Sequence, residues 1–420
     1  MRTLLIISAG VEAVPGIELA KSMGLYVVVS DMDPNAPGFS VADDHLLAST
    51  YDVEATVAAA RQYHLEVRPL DGVMCIASDI PLTVASVALA LGLPSISLES
   101  ARLATDKLAM KERFVSDGIP VPWFSSVGSV DHLRELVADQ GLPLVIKPVD
   151  SRGSRGVLQL NEGVDLEWAY QLALGHSPSS RVIVERFLSG PQVSTESLVV
   201  DGIAYTPGFA DRNYEYLERY APHIIENGGQ LPSDLDEATQ AAVRELVQRA
   251  AESMGIQNGV VKGDIVVTDG KPYVIELAAR LSGGYFCTHE IPLSTGVDLV
   301  GAAIRQALGE PIAPADLKPK WERPIAQRYF FPSPGVIATI EGVEDFTNRA
   351  DIAYLEIRAK PGDCIGPVDS HPARAGVVIT QGQTREAAVR LAEEVAASLK
   401  VTYTTNQNRR GVLTSDGGNP

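Results

Sequence analysis

The run Val260–Gly284, VVKGDIVVTDGKPYVIELAARLSGG, constrains the chain more than any other stretch. Two β-branched runs, Ile265–Thr268 and Tyr273–Ile275, meet at Asp269-Gly270, a hairpin turn signal. Asp264 and Glu276 flank that turn. Their positions sum to an even number, so any odd-length loop sets both carboxylates on one sheet face, because side chains alternate with period two. A type I turn closed by Gly270 in the left-handed region is such a loop and is the one expected. Arg280 follows four residues after Glu276. Two acids and a guanidinium on one side of a hairpin suit a site that holds Mg2+ against phosphate, since magnesium takes one or two carboxylates plus substrate phosphate oxygens. A solvated surface hairpin is the other reading of the same residues, and the neighbouring segments decide between them.

At 420 residues the chain exceeds one ordinary core, and two to four domains are expected. A hydrophobic content of 45% with 21% charged residues is that of a globular protein. The net charge of −18 argues against nucleic acid and anionic membrane as partners, both of which need a basic face. A few converging lysines and arginines could still bind ATP. The three cysteines, Cys75, Cys287 and Cys364, lie far apart and spell no CxxC, so neither a disulfide framework nor a zinc site is expected. Each reads as a small, at least partly buried hydrophobe, in keeping with a reducing, cytoplasmic setting. Met1–Ala9 reads as a first strand and not as a signal peptide. No apolar run reaches the roughly 18 residues that span a membrane.

The first hundred residues read as a βαβ unit and hence a parallel sheet. Leu4–Ser8 and Tyr26–Ser30 are its first two strands, with a helix between Gly16 and Met23 and Asp31 at the tip of the second strand. The glycines do not spell GxGxxG, so the scaffold is Rossmann-like without a dinucleotide fingerprint. Gly72–Ser78 is a further buried strand that leads to Asp79.

The middle of the chain carries the nucleotide signals. Asp106 is an expected N-cap for a helix over Lys107–Asp117, stopped by Gly118. Lys107 then sits in the first turn, where the helix dipole favours anions, a placement that makes sense beside a bound anion. Lys147 lies inside the apolar strand LPLVIKP, where an unpaired charge is costly, so it needs a partner and a phosphate would serve. The loop DSRGSRGV follows at once, at 150–157; its serines, glycines and backbone N–H groups can cradle phosphate, although it is not the Walker pattern. RVIVERFL, at 181–188, is a strand that ends in Ser189-Gly190-Pro191, a hinge that offers edge backbone groups to a purine. Gln192–Val200 is another strand.

These segments, in this order, resemble the ATP-grasp superfamily over about residues 1–310. Thr105-Asp106-Lys107, VIKP, the SRGSRGV loop, VERFLSGPQ and IELAARLSGG carry the likeness. The resemblance implies an α/β chain, α+β in the ATP-binding part, with an ATP-grasp fold, an N-terminal Rossmann-like domain and a C-terminal extra domain. It divides the chain at 1–104, 105–324 with a lid at about 120–195, and 325–405, with a disordered tail at 406–420. It also implies that Lys107 and Lys147 contact the ATP phosphates and that Ser151, Gly153, Ser154, Arg155, Gly156 and Val157 fold over them. Glu185, Arg186 and Leu188 would frame the adenine, Asp264 and Glu276 would hold Mg2+, with Mn2+ able to stand in, and Arg280 would stabilise the phosphorylated intermediate alongside Arg155. Two positions depart from the family pattern. Gln192 stands where a glutamate for the ribose is usual, and Ala278 stands where an asparagine completes the metal set.

Within the superfamily the chain most resembles the L-amino-acid ligase-like carboxylate–amine ligases, on SDIPLTVASVALALGLPS, PHIIENGGQLPS at 222–233, RLSGGYFCTHEIPLSTGVDL at 280–299, and FPSPGVI, KPGDCIGPV and AGVVITQG further on. A helix from about Arg385 to Leu399, capped by Thr384, follows. The implied activity joins a small carboxylate to an amine, both expected to be amino acids, through an acyl phosphate. Arg212, His223, Glu226 and His289 lie in loops where such substrates could be met. A bicarbonate-dependent, carboxyphosphate-forming ligase and a nucleotide-binding protein without turnover remain open readings. Should the chain self-associate, a homodimer is the expected assembly, being the commonest.

Overall fold

The computed structural model describes residues 1–342 and 344–404; the tail expected at 406–420 lies outside them. A four-stranded parallel sheet opens the chain, in the order Asp44–Leu47, Tyr26–Asp31, Thr3–Ile7, Gly72–Met74. The first strand shows why its sequence is apolar without alternation. Leu4 and Ile6 join the core that contains Ile17 and Ala20 of the Val14–Ser22 helix, while Leu5 and Ile7 join the core that contains Tyr63 and Val87 of the helices on the other face. A strand covered on both faces has no polar side to show.

The strand expected over Gly72–Ser78 stops at Met74. Beyond it Ile76 bridges in parallel to Leu281, and Ala77 N–H donates to Leu281 O at 3.1 Å. The chain thus leaves its own sheet to join the loop after the acidic hairpin, which brings Asp79 beside Arg280.

A second, antiparallel sheet runs Phe124–Val127, Val182–Arg186, Leu144–Pro148, Leu158–Leu160. With the helices Val130–Gln140 and Leu166–Gly175, capped by Ser129 and Asp165, it encloses a core of its own around Leu133, Leu144, Ile146 and Ala173.

The third sheet has eight strands and runs from the acidic hairpin to the C-terminal part: Lys271–Ala278, Gly259–Thr268, Gln192–Val200, Ile203–Arg212, Gly229–Leu231, Ile325–Tyr329, Gly376–Gln381, Ile352–Ile357. It crosses residue 325 without a break. Helix Arg385–Ser398, capped by Thr384 as expected, packs Ala388, Leu391, Ala392 and Val395 against it. Cys75 and Cys287 are buried, but Cys364 is exposed, contrary to expectation, because it sits in a two-residue edge strand of a small three-stranded sheet. Among the described residues no helix is long and apolar enough to cross a membrane.

The hairpin differs from its expected form in an instructive way. Asp269 and Gly270 both have positive φ, 50° and 71°, and Thr268 pairs with Lys271, so the loop has two residues and not an odd number. An even loop alone would place Asp264 and Glu276 on opposite faces. A β-bulge restores them: Ile265 pairs with Val274, then Asp264 pairs with Glu276, leaving Ile275 as the extra residue. The acids end directly opposite one another, on one face, by a route that the turn residues do not reveal.

Candidate functional site

A cleft of about 550 Å³ opens where the three sheets and the C-terminal segment meet. Asp79 reaches it from the loop that follows the first sheet, Lys147 from the second sheet, Asp264 and Glu276 from the third, and Arg374 from the C-terminal segment.

The paired acids are held by cations. Arg212 Nη1 lies 2.6 Å from Asp264 Oδ1, and Lys262 Nζ pairs with the same oxygen. Burial alone would raise the Asp264 pKa, but Arg212 and Lys262 outweigh it and hold the carboxyl well below its usual range. Lys107, in the first turn of helix Lys107–Ser116, lies 3.1 Å from Glu276 Oε1 and donates to Ser151 O at 2.7 Å. Burial opposes its charge, yet Glu276 and Asp79 raise its pKa above the usual lysine value. Lys262 is also directly opposite Ala278, so a lysine faces the position where the resemblance expected an asparagine. No group of three or more His, Cys, Asp or Glu that could hold a metal exists among the described residues. Two carboxylates on one face nevertheless fit a hard divalent ion whose remaining ligands are phosphate oxygens and water.

Lys147 has a protein partner. It is 4% exposed, and its Nζ lies 2.8 Å from Glu185 Oε1. Lys111, 1% exposed and not singled out from sequence, reaches the same oxygen at 3.3 Å. Burial would raise the Glu185 pKa, and the two lysines lower it instead; burial also pulls Lys111 down to about 8, against the pull of Glu185. Arg186, Leu188 and Gln192 line the cleft beside this cluster, although the Arg186 guanidinium turns away to donate to Gln140 O at 2.6 Å.

The 151–157 loop lies against the cleft and is tied from three sides. Arg152 Nη1 donates to Asp79 O at 2.9 Å and its guanidinium stacks 3.8 Å over Tyr51. Ser154 Oγ donates to Ile224 O at 2.6 Å, and His371 N–H donates to Gly153 O at 3.0 Å. Gly156 has φ +71°, and a Cβ there would crowd His176 and Pro148 at 3.0 and 3.1 Å, so glycine is required. Arg155 is exposed, and its guanidinium donates to Arg152 O at 3.3 Å.

Arg280 sits 3.6 Å from Asp79, and Asp79, then Glu196, raise its pKa against burial. Glu196 is fully buried: Oε1 accepts from Ser282 N–H at 2.9 Å, Oε2 has no hydrogen-bond partner among the described residues, and burial lifts its pKa to about 7. Of the four substrate candidates, Arg212 and Glu226 line the cleft and pair with each other at 2.9 Å. His223 and His289 do not line it. His223 stands edge-on to Trp168, with Nδ1 buried and without a hydrogen-bond partner among the described residues, and His289 packs between Tyr285 and Tyr354. The cleft histidine is His371, whose pKa is pushed well down by burial, then by Arg374 and Arg212. No sequence pattern pointed to it, because it arrives from the C-terminal segment.

Comparison with known proteins bears out the fold. Residues 104–284 match the family description "ATP-grasp domain", and residues 328–404 match "L-amino acid ligase C-terminal domain 2". The chain is 26% identical over 393 residues to the uncharacterized protein y4rH of Sinorhizobium fredii, covering 91% of this chain and 79% of that one. It is 31% identical over 200 residues to a D-alanine–D-alanine ligase of Gloeobacter violaceus, covering 44% of this chain and 63% of that enzyme, under two thirds of its length. The fold superposes on the L-amino acid ligase from Bacillus licheniformis with a TM-score of 0.80 at 23% identity, over 96% of this chain and 99% of that one. ATP-grasp ligases use ATP with a divalent metal. The chain therefore contains an ATP-grasp domain over residues 104–284, followed over residues 328–404 by a C-terminal domain of the L-amino acid ligase type.

Proposed function

We propose that this protein joins a small carboxylic acid, an amino acid by class, to the amine of a second amino acid, converting ATP to ADP and phosphate. The observation that carries the reading is the direct opposition of Asp264 and Glu276 within one cleft that also holds Lys107, Lys147 and Arg280. The substrate carboxylate attacks the γ-phosphate, giving an acyl phosphate and ADP. The amine then attacks the acyl carbon and phosphate leaves. Lys107 and Lys147 bind phosphate oxygens, the 151–157 loop excludes water, and Arg280 meets the charge that develops on the transferring group. Asp264 and Glu276 would hold Mg2+, which neutralises phosphate charge when bound. Glu185 and Leu188 border the adenine and Gln192 the ribose. The test is to follow ADP release with ATP, Mg2+ and an amino-acid pool, and to search for a condensed mass. ADP with an amide or dipeptide supports the reading. ADP that depends only on bicarbonate would replace it with carboxyphosphate chemistry, and no ADP despite ATP binding would count against turnover with amino acids.

A further inference from the structure

Glu290 closes a single π-turn, Phe286–Glu290, a local departure from α-helix that often marks functional positions. The turn delivers its side chain to the cleft wall, yet the residue is only 3% exposed. Its carboxylate makes no hydrogen bond or ion pair with any described residue, unlike Asp264, Glu276, Glu185 and Glu226, all of which hold cations. A buried carboxylate without a partner costs free energy, and one that faces a substrate cleft has its partner in the substrate.

We propose that Glu290 is the group that receives the incoming amine and takes its proton. This rests on the ligase reading above. An amino acid arrives as an ammonium, which has no lone pair to attack with. The Glu290 carboxylate accepts one N–H proton, leaving a neutral amine and a carboxylic acid. The amine nitrogen then forms the C–N bond, the acyl C–O bond to phosphate breaks, and the second nitrogen proton leaves on the phosphate. Glu290 afterwards returns its proton to solvent. Its environment suits the task. Burial, then Glu226, raises its pKa to about 8, while Arg374 and Arg328 pull the other way, and Tyr329 borders the same wall. A proton acceptor works best when its pKa lies near the operating pH.

Hydroxylamine separates the two half-reactions, because its nitrogen is unprotonated at neutral pH and traps the acyl phosphate as a hydroxamate without a base. With ATP, Mg2+ and an amino-acid pool, Glu290→Gln is expected to form hydroxamate at a rate within about threefold of the parent and to lose about a hundredfold or more of amide formation. Glu290→Asp is expected to keep part of the amide formation. Amide formation within a few-fold of the parent in Glu290→Gln overturns the assignment. So does loss of hydroxamate together with amide while ATP still binds, since that places Glu290 in the first step. Should Glu290→Gln fail to bind ATP, the pH profile of Glu290→Asp decides: a displaced limb for amide but not hydroxamate formation supports the role, and an unmoved limb overturns it. A parent that makes no hydroxamate removes the ligase reading itself, and this inference with it.

Discussion

Lys111, Glu185 and Lys147 form a buried group in which one carboxylate oxygen serves two ammonium ions. One positive charge is therefore in excess, which a phosphate-bearing ligand would answer. Lys147→Met, which keeps the stem and removes the charge, should weaken ATP binding about tenfold or more by calorimetry; an unchanged affinity would make Lys147 purely structural. Lys147 was legible in the sequence because a lysine inside an apolar strand demands a partner. Lys111 was not, because a lysine four residues after another on a helix looks like a solvated face until the helix is seen buried against Glu185. Glu196 was equally hidden, and it carries a pH signature. In the unfolded chain a glutamate loses its proton above about pH 4.3, whereas folded Glu196 keeps it up to about 7. Between those values the native state binds more protons than the unfolded state, so stability falls as pH rises. Glu196→Gln, which retains the acceptor for Ser282, should match the parent near pH 4 and exceed it by up to about 4 kcal/mol at pH 8. Paired denaturation curves at the two pH values would show it, and a gap that does not grow with pH would refute the account.

The acidic hairpin shows what is readable at the level of an element. Its strands, the position of its turn and the shared face of Asp264 and Glu276 follow from the sequence, but the type of turn and the reason for the shared face do not. The expected odd loop is absent, and a bulge at Ile275 supplies the missing step in parity. Bulges leave little trace in composition, since any residue can be the extra one once packing on both sides fixes the register. Two glycines here can be told apart by experiment. A Cβ at Gly270 meets nothing within 4 Å, so Gly270→Ala costs only the left-handed backbone, about 1 kcal/mol. A Cβ at Gly190, in the hinge beside the cleft, would collide with the carbonyl oxygen of Val267, and its φ is +135°. Gly190→Ala should therefore cost several-fold more stability and weaken ATP binding as well, while Gly270→Ala leaves affinity unchanged. Equal losses in chemical denaturation would mean that the hinge can yield.

Across the whole molecule the cleft belongs to no single segment, and this is what sequence reading could least supply. Each segment announced its own fold. The 325–405 part, however, gave no sign that its first strand would extend the sheet of the acidic hairpin, or that Arg358, His371 and Arg374 would line the cleft. Such long-range placement depends on which sheet edge is free. Arg358 ties the parts together. Its Nη2 lies 3.3 Å from Glu12 Oε1 in the first segment and 3.2 Å from Tyr285 OH after the hairpin, and its Nε lies 2.9 Å from Glu356 on the strand that precedes it. Glu12 Oε2 in turn accepts from Gly284 N–H at 2.7 Å. The network joins three regions at the cleft wall, so Arg358→Ala should lower the melting temperature by a few degrees, at roughly 2–4 °C per kcal/mol for large domains, and raise the KM for the amino-acid substrates more than that for ATP. Arg349, paired with Asp351 at 2.7 Å and exposed at 40%, is the control. A surface pair of that kind contributes about 0–1 kcal/mol, so Arg349→Ala should leave both KM values alone. If the two variants behaved alike, Arg358 would be one more surface arginine, and the C-terminal domain would flank the cleft without helping to shape it.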